Sequence, residues 1–183
     1  MKLMVASDLH GDAGCCEKLM EAWEREHAQG ADRLFLLGDL LYHGPRNPVP
    51  KQYDPKRVAA LLNERKDRIF CVRGNCDAEV DQMMLDFPIL AQSCILYAGK
   101  RLIYACHGHQ KKKGELPSLR PGEILLCGHT HIPAWEMRGD NLYLNPGSVS
   151  LPKEDSWRGY LLLTQGEAVW KDLEGKERHR LVL

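Results

Sequence analysis

Five short polar clusters carry the residues of this chain that could do chemistry: Asp8-Leu9-His10, Gly38-Asp39, Gly74-Asn75, His107-Gly108-His109 and Gly128-His129-Thr130-His131. They supply imidazole nitrogens and carboxylate or amide oxygens but no thiolate, a donor set that suits Mn, Fe, Zn, Ni or Co rather than a structural zinc. Each piece alone is weak. A D-x-H is common, an Asn after Gly usually marks a turn, and His107 could be a satisfied core histidine. His129 and His131 are stronger, because two imidazoles two residues apart in a loop can reach two neighbouring ions. The joint occurrence points to one shared metal site made by Asp8, His10, Asp39, Asn75, His107, His129 and His131.

Two neighbouring cations need a bridge, and a carboxylate has two oxygens to offer, so Asp39 is the natural bridging residue. Two divalent ions set against two carboxylates leave a local charge of about +2, which attracts a phosphate ester and acidifies a bound water. The expected reaction is in-line attack on phosphorus by a metal-bridging hydroxide. Other nucleophiles find little support. There is no G-x-S-x-G elbow, no cysteine followed six positions later by arginine, and no phosphate-binding P-loop. Asn145-Pro146-Gly147-Ser148 reads first as a tight turn rather than as the setting of a serine nucleophile.

The elements that must hold these residues are legible as short apolar runs at 3–6, 34–37, 69–72, 102–106, 124–127, 142–144 and 160–163. Each has strand length and ends in Gly, Asn or charge. The five polar clusters follow five of these runs, at the edge of an α/β sheet where ligands bind. A helix is expected over 13–29, with Asp12 as N-cap, Gly30 as terminator and Leu19, Met20 and Trp23 on one face. A second runs from Pro55, a good first helical residue, to about Lys66. Parallel pairing is expected in this first half, and a second sheet with antiparallel or mixed pairing after residue 90, turning at Ala98-Gly99 and Arg138-Gly139-Asp140. The proline-rich stretch 40–54 reads as a rigid loop and a candidate binding element. Lys111-Lys112-Lys113 reads as a solvated loop, and residues past 165 as one or two closing strands with a charged tail.

With 183 residues and 44% hydrophobic content, the chain suits one compact domain over 1–183. Lys plus Arg and Asp plus Glu both number 25, so no global positive field favours a nucleic-acid-coating role. Seven cysteines without a C-x-x-C pair lie mostly in apolar runs, which reads as reduced thiols and a cytoplasmic setting. No segment approaches membrane-spanning length.

Taken together the five clusters resemble the calcineurin-like metallophosphoesterase superfamily. His43-Gly44-Pro45-Arg46-Asn47-Pro48, Arg73-Gly74-Asn75-Cys76-Asp77 and Asn145-Pro146-Gly147-Ser148-Val149-Ser150 are similar to its small bacterial YfcE-type phosphodiesterase branch. The resemblance implies an α/β fold, a four-layer α/β/β/α sandwich with two packed mixed sheets. It also implies one metal held by Asp8, His10, Asp39 and His131, and a second held by Asp39, Asn75, His107 and His129. Manganese is the favoured ion. In the wider superfamily the residue after Gly-Asn is usually a histidine that assists the leaving group. Cys76 stands there in this chain, and a thiol with a pKa near 8.5 matches a departing alkoxide poorly. Esters with good leaving groups, such as aryl phosphodiesters, are therefore expected.

Cys76 can shape the pocket, contact substrate or merely fill space. Arg46, Arg73, His43 and His109 are the remaining substrate-binding candidates: Arg46 as a clamp on a phosphoryl oxygen or a plain surface arginine, His109 as pocket wall or as a support for a metal ligand. Three alternatives to a small-molecule phosphodiesterase stay open: a metal-binding scaffold of the same fold, a nuclease and a phosphomonoesterase. A homo-oligomer through an apolar patch near Trp135 or Trp157 is a further expectation.

Overall fold

The computed structural model describes residues 2–110 and 118–183, so the Lys111-Lys112-Lys113 loop lies outside the described residues. Eleven strands and three α-helices are present among the described residues. The first sheet has six strands in the order β11 (Glu177–Val182), β10 (Glu167–Asp172), β9 (Gly159–Leu163), β1 (Leu3–Ala6), β2 (Arg33–Leu36) and β3 (Ile69–Cys71). The second has five, in the order β4 (Ser93–Ala98), β5 (Arg101–Cys106), β6 (Ile124–Leu126), β8 (Asn141–Pro146) and β7 (Pro133–Arg138). Both sheets are mixed. β1, β2 and β3 run parallel, with Val5 opposite Phe35 and Leu36 opposite Cys71, while β9 closes on β1 antiparallel. β5, β6 and β8 run parallel between the hairpins β4–β5 and β7–β8. Gly99 and Gly139 turn these hairpins at φ +62 and +61, a left-handed conformation that glycine adopts without a Cβ clash.

Helix α1 (Ala13–Ala28) starts where expected, because the Asp12 carboxylate accepts the Cys15 N–H at 2.9 Å. Its buried face carries Cys16, Leu19, Met20 and Trp23, and Gly30 turns the chain away at φ +90. Helix α2 (Pro55–Asn63) is capped by Asp54 on the Arg57 N–H and buries Val58, Leu61 and Leu62. It ends three residues short of the expected Lys66, because Arg65 departs to φ −124 and a single 3-10 turn (Lys66–Arg68) leads into β3. Helix α3 (Glu79–Gln82) is a single turn whose Asp81 accepts the Ala78 N–H at 2.8 Å; its sequence lacks the apolar spacing of an amphipathic helix.

Two apolar layers result. One lies between α1, α2 and the six-stranded sheet around Trp23, Leu34, Leu62 and Tyr160. The other lies between the sheets, where Val5, Phe35, Leu161 and Trp170 meet Ile103, Ala105, Leu126 and Leu144. The outer face of the five-stranded sheet carries a small cluster of Cys106, Cys127 and Tyr143 with Tyr104, Leu125 and Ala134. Of the two tryptophans expected near an apolar surface patch, Trp135 is exposed on β7 beside exposed Met137, and Trp157 is half-buried. Trp135 stacks on His179 with ring centroids 3.8 Å apart and meets Trp170, while Trp157 packs against the inter-sheet layer. The charged residues after 176 form no tail; they are β11 itself, and its exposed Arg180, Glu177 and Arg178 keep that sheet edge polar. No described helix is long and apolar enough to cross a membrane.

Candidate metal centre

Parallel pairing in each sheet brings five strand ends to one edge. Asp8 and His10 follow β1, Asp39 follows β2, Asn75 follows β3, His107 follows β5, and His129 and His131 follow β6. Tight turns aim these side chains inward. Seven described non-glycine residues adopt positive φ, and five of them are Asp8, His10, Asp39, His129 and His131. Backbone of this kind costs of order 1–3 kcal/mol per residue and persists where surrounding contacts over-determine it. Those contacts are present: the Asp8 and His10 N–H groups donate to Gly38 and Asp39 carbonyls at 3.1 and 3.0 Å, and the hydroxyls of Ser148 and Ser150 both donate to the Asp8 carbonyl.

Hydrogen bonding fixes the imidazole tautomers. The Nδ1 atoms of His10, His107 and His131 lie 3.0, 2.6 and 2.7 Å from the carbonyl oxygens of Tyr42, Leu37 and Leu151. A carbonyl only accepts, so each Nδ1 carries the proton and each neutral ring turns a bare Nε2 lone pair into the centre. His10 Nε2 and His131 Nε2 face one another at 3.1 Å. His107 Nε2 lies 3.1 Å from Asn75 Oδ1 and 3.2 Å from His129 Nδ1. Between these groups sit the carboxylates. Asp39 Oδ1 accepts the Cys76 N–H at 2.8 Å, which leaves Oδ2 between His107 Nε2 at 3.4 Å and His10 Nε2 at 3.8 Å. Asp8 Oδ2 accepts the His129 N–H, whereas the buried Oδ1 has no hydrogen-bond partner and lies 3.3 and 3.5 Å from the Nε2 atoms of His131 and His10. Lone pairs facing lone pairs around an orphaned carboxylate oxygen fit divalent cations, and three overlapping groups could each hold one: Asp8, His10 and His131; Asp8, Asp39 and His107; and His10, Asp39 and Cys76.

The electrostatics point the same way. Burial pushes the Asp8 carboxyl up, but the adjacent His10 and His131 imidazoles and the charge of His107 outweigh it and hold it well below the usual range. Asp39 is likewise lowered, with its hydrogen bond to His107 overcoming burial. Burial works against a charged His107, yet its bond to Asp39 and the charges of Asp8 and Asp39 raise it to about 9. His129 moves down to about 4, through burial and the neighbouring His107. Without a cation the two carboxylates thus draw a proton onto one imidazole.

Asp77 is the main positioning residue that motif reasoning did not single out, although it closes the Arg73-Gly74-Asn75-Cys76-Asp77 run. Its buried carboxylate accepts the N–H groups of Asp39, Leu40 and Gly74 at 2.8, 2.9 and 2.7 Å, tying the β2 turn to the β3 turn. Burial raises its pKa despite these bonds. Asn145 does similar work, donating to the Gly128 carbonyl, Thr130 Oγ1 and Tyr143 Oη. Close approach explains two glycines: a Cβ on Gly74 would collide with Asp39 Oδ1, and one on Gly128 with Ser7 Oγ.

A cavity of 670 Å³ opens over the centre, lined by Asp39, Asn75, His129 and His131 together with Arg46, Cys76, Gln110, Arg138, Tyr143 and Lys153. Arg46 and Cys76 therefore stand where a ligand of the centre would meet them. Burial and the Asp39 charge push the Cys76 thiol upward, away from use as an acid. His109 sits behind the metal ligands, its ring 5.5 Å from His107 and 6.2 Å from His129. His43 packs edge-on between Tyr42 and Tyr53 and does not line the cavity. Arg73 is turned away: its guanidinium donates to the Asp77 carbonyl and pairs with Glu79, so it braces the loop rather than reaching a substrate.

Comparison with known proteins agrees with this geometry. Residues 1–167 match the calcineurin-like phosphoesterase superfamily domain. The chain is 45% identical over 163 residues to phosphodiesterase YfcE of Escherichia coli K12, covering 89% of this chain and 87% of that protein. A solved structure of Yfce, a phosphoesterase from E. coli, superposes with a TM-score of 0.90 at 40% identity over 99% of this chain and 98% of that one. Vps29 from Entamoeba histolytica shares the fold alone, with a TM-score of 0.62 at 19% identity over 100% and 99% of the two chains.

Proposed function

The chain belongs to the calcineurin-like phosphoesterase superfamily, and from that membership we propose that it hydrolyses small phosphodiesters at the Asp8–Asp39 centre with two divalent cations, manganese the favoured ion. The observation that carries this is the inward convergence of three imidazole lone pairs on the unpartnered Asp8 Oδ1. The donors fit one cation with Asp8, His10, Asp39 and His131 and a second with Asp39, Asn75, His107 and His129. Such a pair supplies an activated water at neutral pH and offsets charge on the phosphoryl oxygens. The chain's own groups do the rest. Asp39 Oδ2 faces both halves of the centre, while the Cys76 N–H holds Oδ1 in place. Arg46 and Lys153 line the cavity without an ion-pair partner among the described residues and favour an anionic ligand.

A cavity of 670 Å³ accommodates two ester arms, which supports a diester over a monoester. With a high-pKa thiol in place of a histidine beside Asn75, protonation of the leaving group is weak, so aryl diesters should outpace alkyl ones. The scaffold alternative predicts an eroded donor set, whereas all seven positions keep a metal-ligating residue type. A zero formal net charge argues against a nuclease. A cytoplasmic setting is consistent with seven cysteines that are all free.

The test is to strip the protein with chelator and assay bis(4-nitrophenyl) phosphate and 4-nitrophenyl phosphate with Mn, Zn, Mg or no metal, beside His129→Ala. Metal-restored turnover that favours the diester and is lost in the variant is the expected result. Folded protein that turns over neither ester with any metal would defeat the proposal.

A further inference from the structure

One wall of the cavity carries none of the candidate metal ligands. On the outer face of the five-stranded sheet, Tyr143 of β8 is buried at 3% exposure. What covers it is Arg138 of β7, whose Cζ sits 3.3 Å from the ring centroid. Both residues line the cavity that contains Asn75, His129 and His131. The guanidinium is held flat. Its Nε and Nη2 both donate to Glu136 Oε1, at 2.8 and 2.7 Å, and Glu136 lies directly opposite Tyr143 in the β7–β8 register. The tyrosine beneath is equally fixed, since its hydroxyl accepts from Asn145 Nδ2, and Asn145 also donates to Gly128 and Thr130 in the loop that carries His129 and His131. The platform is thus coupled rigidly to the metal centre.

Glu136 offsets the Arg138 charge, so the residue is a poor clamp for a second phosphate. Its exposed flat face is a good partner for a π-system, because guanidinium groups stack on planar rings and lose little entropy when already oriented. Leu125 and Cys127, also in the lining, extend the same apolar floor. Building on the phosphodiesterase reading, we propose that Arg138, laid over Tyr143, is the stacking floor for the ester arm that stays on phosphorus, and that it selects planar aromatic or nucleobase-bearing arms over alkyl arms.

The experiment holds the leaving group constant and varies the retained arm, using 4-nitrophenyl phenyl phosphate and 4-nitrophenyl ethyl phosphate with the manganese-loaded enzyme and its Arg138→Ala and Arg138→Lys variants. Stacking predicts that Arg138→Ala lowers kcat/KM for the phenyl diester by about 5- to 20-fold, mainly through KM, and that this loss exceeds the loss on the ethyl diester at least about fivefold. Lysine keeps the charge and loses the plane, so it should not restore the phenyl preference. Equal losses on the two esters, no loss on either, or full rescue by lysine would each overturn the stacking floor. Wild-type enzyme that turns over neither ester would instead sink the phosphodiesterase reading and this proposal with it.

Discussion

Glu26 and the Asp8–Asp39 pair are carboxylates sealed from solvent to the same degree, all at 2% exposure or less, and the chain surrounds them in opposite ways. Glu26, on the inner face of α1, receives Lys171 Nζ at 2.7 Å, Tyr160 Oη at 2.9 Å and Lys2 Nζ at 3.4 Å, so its charge is met by cations of the chain itself. Asp8 and Asp39 are ringed by imidazoles whose protons point outward to carbonyls, on backbone held at positive φ. A buried charge that is fully paired internally holds a fold together; one that keeps lone pairs open to an external cation makes a reactive centre.

The contrast can be broken most directly at Asp39. Asp39→Asn should reduce metal-dependent kcat/KM by at least about a thousandfold while costing the metal-free protein less stability than Glu26→Gln does, because a single protonated His107 is its ionic partner there. A large loss of metal-free stability in chelator would show that the carboxylate holds the fold. Glu26→Gln should do the reverse, costing about 2–4 kcal/mol in urea unfolding with kcat within about twofold of wild type, because Lys171 is left without its counter-charge.

The Glu26 contribution also has a pH signature. Burial pushes Glu26 up, but the bonds from Lys171 and Tyr160 outweigh it and leave it below its ordinary 4.5. Its stabilisation is present above that value and lost as pH falls through the lower folded one. The stability gap between wild type and Glu26→Gln should therefore narrow on acidification below about pH 4.5; a gap that stays constant down to pH 3 would remove the charge from the argument.

Asp77→Asn sharpens the comparison from between the two cases, since Asp77 binds only backbone N–H groups. One acceptor oxygen survives, so a loss of about 1–2 kcal/mol in stability and about tenfold in manganese affinity by calorimetry is expected. Lys18→Ala, which removes an exposed pair with Glu174 at 3.2 Å, should change stability by less than about 0.5 kcal/mol.

The same two regions differ in how much of them is legible in the amino-acid sequence. The convergence of the seven candidate ligands was legible because each is a ligand type following a short apolar run, and α1 because Asp12, Gly30 and the Leu19-Met20-Trp23 spacing agree. Asp77 was hidden, since its work lies in three backbone contacts that no side-chain motif encodes. Arg73 was misplaced for a related reason: the motif puts it next to Gly74, but only the structure reveals Glu79 one turn away as its partner. Strand β11 looked like a tail because it has only half-buried and exposed positions, with charge at Glu177, Arg178 and Arg180, and edge strands need little apolar surface. The Glu26 network joins residues 2, 26, 160 and 171, too far apart in the chain for spacing to reveal it.

The position of β1 between β2 and β9 bears on how the protein is made. β1 finds β2 early, within the first 36 residues, but its other edge stays unpaired until residues 159–163 have left the ribosome and turned back. Asp8, at the end of that strand, is anchored by Ser148 and Ser150, which also arrive late. Nascent chains shorter than about 160 residues thus carry an open central strand and an unfinished metal centre, so a stalled or clipped product is exposed to edge-to-edge aggregation.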